Sequence, residues 1–492
     1  MKKVSRRSFV AGMGAMPFAL WLQKERIPIG PLRKTWVRYE ARTTEGQKML
    51  KIYADTVNTM MNSTTAGDPR SWIFQWYTHA VRPDRTKAGE ISSIYGGGAS
   101  PNKTLATDAW STCQPHFSGD EPSFLPWHRM FVYFFESIIR KASGHNEFSL
   151  PYWNYSVTGA AHGVIPPEFT NSSDPSLKWL FRSNRNPGVN TGTAIDASDP
   201  GALSLDVMKQ TTYEPNGAAS GFNADLDGGI HGNVHVDTGD STNMGSVPWA
   251  ARDPIFWLHH CNLDRLWASW NKNGGVNPGG PWLTKSFTFA DLNGTKVTAT
   301  VDHFDSLSKL DYTYDRFEPS PWFKRPLPWP FEVAHPTPLQ IHELAEIPLT
   351  AQTTRLAMTT AKVPQAPQEA FTAHVAKLAP DKRVYLVIKN LRSDTHPGVT
   401  YQVFIDVPSG RSLNQASAHR VGTINFFGAV THHEVAPNQP DSKFFSFDIT
   451  DIVKGLQANK LLQDKPVVTI VPSGKPAADA KPVVGEVSIL EQ

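Results

Sequence analysis

The chain has 492 residues, too many for a single core, and its aromatic content of 11% with 15 Trp is that of a densely packed folded protein and excludes a disordered one. Lys plus Arg (48) nearly balances Asp plus Glu (45), so charge gives no ground for binding nucleic acid or a membrane surface. With only Cys113 and Cys261, no disulfide framework is expected.

Residues 1–25 read as an export leader. Arg6 and Arg7 followed by Phe9 match the twin-arginine pattern, and AGMGAMPFALWL is a short apolar stretch. That reading implies handling by the twin-arginine export machinery and a periplasmic or secreted location. The route carries folded proteins, which suits a metal loaded before export. No later stretch reaches the ~18 apolar residues of a membrane helix. Between residues 35 and 80, KTWVRYEARTTEGQKMLKIYADTVNTMMN and PRSWIFQWYTHAV have helical patterns, and the second places His79 among Trp72, Ile73, Phe74, Trp76 and Tyr77. Taken alone, a histidine in such a setting is a core residue. Residues 82–115, rich in Gly, Pro, Ser and Thr, read as a loop. HFSGDEPSFLPWHRMFVYFFESIIR then predicts His116 in a loop and His128 at the start of an apolar helix.

Residues 150–225 read as loop with short helices, and His145 and His162 lack ligand-like spacing. The segment His231–Trp270 is the centre of the chain. His231 and His235 stand four apart and share one helix face, so both can grip one ion. A His259–His260 pair follows in an apolar helical pattern, where His260 supplies a third imidazole and Asp264 lies one turn further along the same face. Three imidazoles without a thiolate suit copper, zinc, iron or nickel. His79, His116 and His128 make a second such set. Residues 271–308 predict a hairpin, the Pro-rich run 318–340 a linker, and 341–492 an antiparallel sandwich or barrel of alternating β-branched and aromatic strands.

PWHR with Glu136 seven residues on, and DPIFWLHHCNLDRLW, resemble the two copper signatures of the tyrosinase and catechol oxidase (polyphenol oxidase) family. The resemblance covers residues 35–315, where KLDYTYD is similar to the tyrosine motif closing the family's catalytic domain, and extends weakly to the C-terminus, as in a bacterial member with a plant-like C-terminal domain. It implies a mainly α catalytic domain (26–317), a four-helix bundle holding a dicopper site, and after the linker an all-β domain (341–492) covering it. Copper ligands would be His79, His116 and His128 for one ion and His231, His235 and His260 for the other. Two copper ions about 3.5–4 Å apart can pass two electrons to O2 together. The implied activity is oxidation of o-diphenols to o-quinones with O2 as cosubstrate, with o-hydroxylation of monophenols left open.

The resemblance implies further roles. Arg129 and Asp264 would pair, Asp253 would orient a ligand helix or its surroundings, and Phe256 would shield the coppers from water. His259 would be a neighbouring or substrate-side imidazole, since consecutive helix residues point about 100° apart. Val247, where plant members carry a bulky gate, leaves room for a phenol ring. Gly232 stands where many monophenol-active relatives have Asn, and Asp227 where a Glu orients a water, which favours diphenol oxidation. The loop after His116 is longer than in the family. Cys113 stands three residues before His116, a spacing that matches neither the fungal nor the plant thioether pattern, so a plain buried thiol is expected over a thioether to His116. The C-terminal domain would keep the enzyme latent until displaced or removed, with Phe426 or Phe427 as a plug. Alternatives are an o-aminophenol oxidase on the same scaffold and a non-catalytic dioxygen carrier. A di-iron bundle is disfavoured because the only E-x-x-H, Glu332 to His335, runs into Pro336. Small phenols are the expected partners, and the oligomeric state is open.

Overall fold

Helix α1 (Thr44–Asn62) opens the first domain, with Thr43 as N-cap accepting from Gly46 N and with Met49, Leu50, Tyr53, Val57 and Met60 on its buried face. In this computed structural model the described residues are 35–113, 123–319, 335–342, 346–361, 369–408, 410, 412–430 and 443–492. The export leader, His116 with its FSGDEPS loop, and most of the Pro-rich run therefore lie outside the described residues. Helix α2 (Trp72–His79) is capped by Ser71 and ends on His79.

The stretch 82–115 corrects the loop expectation, because helices α3 (Lys87–Tyr95) and α4 (Pro101–Ala109) lie inside it. Thr86 and Ser100 cap them, and Pro101 occupies the first turn of α4, where its missing N–H costs nothing. The Gly and Pro residues here punctuate helices and do not replace them.

Two long helices carry the centre of the domain. They are α5 (Phe124–Ser143) and, after α6 (Gly221–Leu226), α7 (Gly232–Thr238) and α8 (Val247–Ala250), helix α9 (Ile255–Lys272). α5 packs on α9 and on α1. Phe135 of α5 stacks on Trp257 of α9 at 3.5 Å between ring centroids. Strand β1 (Trp36–Arg38) pairs in parallel with β4 (Tyr312–Tyr314), and β2 (Ser286–Ala290) with β3 (Lys296–Thr300) makes the expected hairpin. Arg38 from β1 donates to Glu136 at 2.6 Å and to Asp264 at 3.1 Å, while Tyr312 and Tyr314 also donate to Asp264. All five groups are buried, so β1 locks α5 and α9 together through paired charges.

The second domain is an antiparallel sandwich. Its strands are β5 (Thr337–Ile341), β6 (Ile347–Pro348), β7 (Thr354–Ala357), β8 (Thr359–Thr360), β9 (Val384–Leu391), β10 (Tyr401–Ile405), β11 (Arg420–Ile424), β12 (Lys443–Asp448), β13 (Val467–Pro472), β14 (Val483–Val484) and β15 (Glu486–Glu491). One sheet runs β11-β10-β13-β7 and the other β12-β9-β15-β5-β8. Two expectations change here. Strand β5 begins inside the run 318–340, and its Pro338 is accommodated beside a register shift opposite Leu490. The run after Asp448, read as strand, turns into a helix at Thr450–Ala458 with Val453 and Leu456 buried.

Apolar cores of the two domains share no residue, one running from Ala41 to Tyr314 and the other from Ile347 to Ile489. Polar contacts join them. Asp199 accepts from Thr400 (3.0 Å), Thr423 (2.9 Å) and Arg420 (3.1 Å), and Gln492 accepts from Ala218 N at 2.6 Å.

Candidate metal centre

Imidazoles from four helical segments meet between α2, α5, α7 and α9. His79 ends α2, His128 sits in the first turns of α5, His235 lies in α7 and His260 in α9. His231 closes a five-residue π-helical turn, Asp227–His231, kinked at Gly229 and leading directly into α7. A wide turn of this kind turns carbonyl oxygens away from the helix ladder.

Donor atoms form two groups, each within 4.8 Å: His79, Cys113 and His128 in one, and His231, His235, His259 and His260 in the other. They are contiguous. The rings of His128 and His260 stack at 4.4 Å and 13°, and His235 Nε2 lies 3.4 Å from His260 Nε2.

Backbone carbonyls fix which nitrogen faces inward. Nδ1 of His128 faces Phe124 O at 2.8 Å, that of His231 faces Asp227 O at 3.0 Å, and that of His235 faces Met244 O at 2.8 Å. A carbonyl accepts only, so each Nδ1 carries the proton and each Nε2 presents a lone pair to the centre. Burial, and next the neighbouring His128, push the His260 imidazole far below its ordinary range, so it too is neutral. Neutral, buried, convergent imidazoles of fixed tautomer are the donor set that a copper pair requires.

The remaining expected residues fall around this centre. Phe256 lies under both groups, 5.0 Å from the ring of His79 and 4.1 Å from that of His260. Arg129 pairs with Asp264 and lies over the Trp267 ring. Asp253 touches no imidazole. It binds Arg185 in a two-pronged ion pair and accepts from Ile255 N, which anchors the start of α9. Burial raises the Asp253 carboxyl, but the Arg185 guanidinium outweighs that and holds it below the usual range. Val247 opens α8 half-buried. His259 lies parallel to His231 at 5.4 Å and 5°, and burial pushes it down to about 3. Asp227 directs a carboxylate oxygen at His231 Nδ1, 3.0 Å away.

Cys113 places Sγ 3.6 Å from His128 Nε2. The thiol thus reaches the inward nitrogen of His128, while its expected partner His116 lies outside the described residues. His145 is exposed beside Glu147, and His162 pairs with Asp196 at 2.8 Å, both away from the centre.

The second domain enters the centre at one loop, Asn425–Phe427. Phe427 stacks on His235 at 4.1 Å and 9°, and its ring is 5.4 Å from that of His231. Phe426 turns the other way, into the sandwich core. Asn425 donates to Gly228 O at 2.8 Å and to Asn233 Oδ1 at 2.7 Å. The buried Lys443 ammonium donates to Asn425 Oδ1 and to Phe427 O. A side chain on Gly232 would put Cβ 2.5 Å from Asn425 Oδ1, so the glycine makes room for this loop. Sequence reasoning did not reach Asn425, Lys443, Asn233 or Arg38, because their significance depends on contacts between distant segments.

Comparisons with known proteins agree with this geometry. Residues 69–200 and 179–273 match the common central domain of tyrosinase, and 342–492 match a domain family of unknown function, DUF7868. The chain is 28% identical over 464 residues to a tyrosinase of Hahella sp. (strain CCB-MM4), covering 87% of this chain and 94% of that one. It is 27% identical over 457 residues to a latent-form chloroplastic polyphenol oxidase of Prunus armeniaca, covering 84% and 69%. Latent apple tyrosinase shares the fold at a TM-score of 0.58 and 21% identity, over 93% of this chain and 97% of that one. A functional unit of octopus hemocyanin does so at 0.52 and 16%, over 92% and 99%.

Proposed function

We infer that this chain, whose residues 69–273 belong to the tyrosinase family, is a dicopper oxidase that converts o-diphenols to o-quinones, two catechols and one O2 giving two quinones and two waters. The observation that supports this most is the set of fixed tautomers at His128, His231 and His235, which aims their Nε2 lone pairs at one space beside His260. In this reading His79 and His128, with His116 from outside the described residues, hold one copper, and His231, His235 and His260 hold the other. The bound pair supplies a two-electron acceptor that O2 regenerates.

The protein's own groups hold that centre dry and leave one face for substrate. Phe256 and Phe124 flank the imidazoles, Phe124 lying 4.4 Å from the His128 ring and 4.7 Å from that of His231. The place now taken by Phe427 on His235 is ring-shaped and admits a phenol. Asp227 is directed to the rear nitrogen of His231, a position that orients the ligand and supports diphenol oxidation over monophenol hydroxylation. With Phe427 on His235 the full-length chain is latent, and displacement of the second domain activates it. Export by the twin-arginine route, to the periplasm or beyond, is part of the same proposal and rests on Arg6, Arg7 and Phe9.

Oxygen uptake and quinone formation from 4-tert-butylcatechol by the copper-loaded chain, cleaved within 318–340, test this reading. Copper binding with reversible O2 uptake and no quinone would instead make it an oxygen carrier.

A further inference from the structure

Beside the centre, three hydrogen-bond acceptors of the first domain converge on one donor of the second. Gly228 O and Asn233 Oδ1 converge on the single nitrogen Asn425 Nδ2 at 2.8 and 2.7 Å, and Gly229 O stands 3.5 Å from it. The wide turn Asp227–His231 supplies the two carbonyls. Asn233 cannot reverse its amide cheaply, because its own Nδ2 donates to Ala202 O at 2.9 Å. Its oxygen is thereby committed to the shared point. The absent side chain of Gly232 opens this corner, and the Asp227 carboxylate adds negative potential that the Lys443 ammonium feels. What fills the corner is N–H donors of the second domain.

Phe427 shows how a small molecule could reach it. From its ring through two carbons to its backbone nitrogen, Phe427 is a phenethylamine skeleton. The ring lies on His235, and the nitrogen donates to Asn425 Oδ1 at 3.1 Å, one carboxamide away from the acceptors.

We propose that, with the loop withdrawn, the corner formed by Gly228 O and Asn233 Oδ1 binds a primary ammonium on the substrate, so that the preferred substrates are catechols carrying an alkylamine tail and those carrying a carboxylate tail are disfavoured. This rests on the oxidase reading above. Asn233 Oδ1 gives up the Asn425 amide when the loop leaves, and an ammonium offers three donors to this corner while a carboxylate offers none. Opposite charge near Asp227 acts in the same direction.

The test uses the full-length, copper-loaded chain with Asn425→Gly, Phe427→Gly and Lys443→Met, which vacates both places and removes the second domain's own ammonium from beside them without removing the domain. kcat/KM is compared for dopamine, 4-methylcatechol and 3-(3,4-dihydroxyphenyl)propionate. Dopamine is expected to exceed the carboxylate by about tenfold or more, as befits one charge-assisted hydrogen bond gained. Asn233→Leu in that background should shrink the dopamine to 4-methylcatechol ratio, acting on KM more than on kcat. Equal kcat/KM for the three, or a preference for the carboxylate, overturns the inference while leaving the oxidase reading intact. No turnover of any catechol overturns both. The same ranking, measured on the unsubstituted chain after cleavage within 318–340, decides the matter if the substituted chain fails to fold.

Discussion

The ring of Phe427 lies parallel to the imidazole of His235 at 4.1 Å, so a residue of the second domain covers one face of a histidine in the imidazole cluster of the first. An offset pair of this kind is worth about 0.5–1.5 kcal/mol beyond the area it buries. Replacing Phe427 by Ala should therefore raise catechol oxidation by the full-length chain about tenfold, since about 1.4 kcal/mol lost from the closed form raises the open fraction by that factor. Initial rates with 4-tert-butylcatechol, compared with the unsubstituted chain, measure it. An unchanged rate would mean that Phe427 does not limit access.

Gly232→Ala should act in the same direction by a different route. The added Cβ would stand 2.5 Å from Asn425 Oδ1, closer than any real contact, and Asn425 is held from behind by Lys443. The loop must withdraw or α7 must shift. The expected outcome is a more active full-length chain whose linker is cut faster by a protease. Activity as low as in the parent, with an unchanged cleavage rate, would show that the corner yields without moving the loop.

His128→Ala should reduce copper content by about half and abolish catechol oxidation, because a two-metal site works as a unit. Metal analysis of the purified protein distinguishes this from unfolding, which would empty both sites.

Acid should unfold the first domain earlier than the second. Asp253 and Asp264 are raised by burial, yet Arg185 for the one and Arg129 with Arg38 for the other hold both below the ordinary carboxylate range. A carboxylate held low in the fold contributes stability that is complete above its unfolded value, about 3.9, and is lost as pH falls through the folded value. Asp264→Asn, which leaves Arg38 and Arg129 buried without their shared charge, should cost about 3–5 kcal/mol at neutral pH and blunt that acid dependence. Thermal melts between neutral pH and the acid limb, with and without the substitution, check both points.

Much of this centre was legible in the chain itself. The spacing of His231, His235 and His260, and the apolar helix after His128, depend on local periodicity, which the fold preserves in α5, the turn before α7 and α9. The pairing of Arg129 with Asp264, implied by the family resemblance, is present as well. What the chain did not disclose depends on contacts across hundreds of residues. Arg38 gives no sign of its partners, since Glu136, Asp264 and Tyr314 are fixed only by tertiary packing. Phe426 and Phe427 were indistinguishable by residue type, and the turn at Phe427–Gly428 decides that one enters the sandwich core and the other the metal centre. The place of the Cys113 sulfur against His128 likewise depends on packing between α5 and the segment after α4, which no local spacing discloses.

The parallel pairing of Trp36–Arg38 with Tyr312–Tyr314 has an outcome for biosynthesis. A ribosome delivers the earliest of these segments long before the latest, so Arg38 cannot complete its set of partners, Glu136, Asp264 and Tyr314, until nearly two thirds of the polypeptide has emerged. The imidazole-bearing helices can collapse meanwhile, but they cannot be clasped. Closure of the oxidase half is thus a late event in translation, and truncated nascent chains ending before Tyr312 should remain protease-sensitive and bind copper weakly.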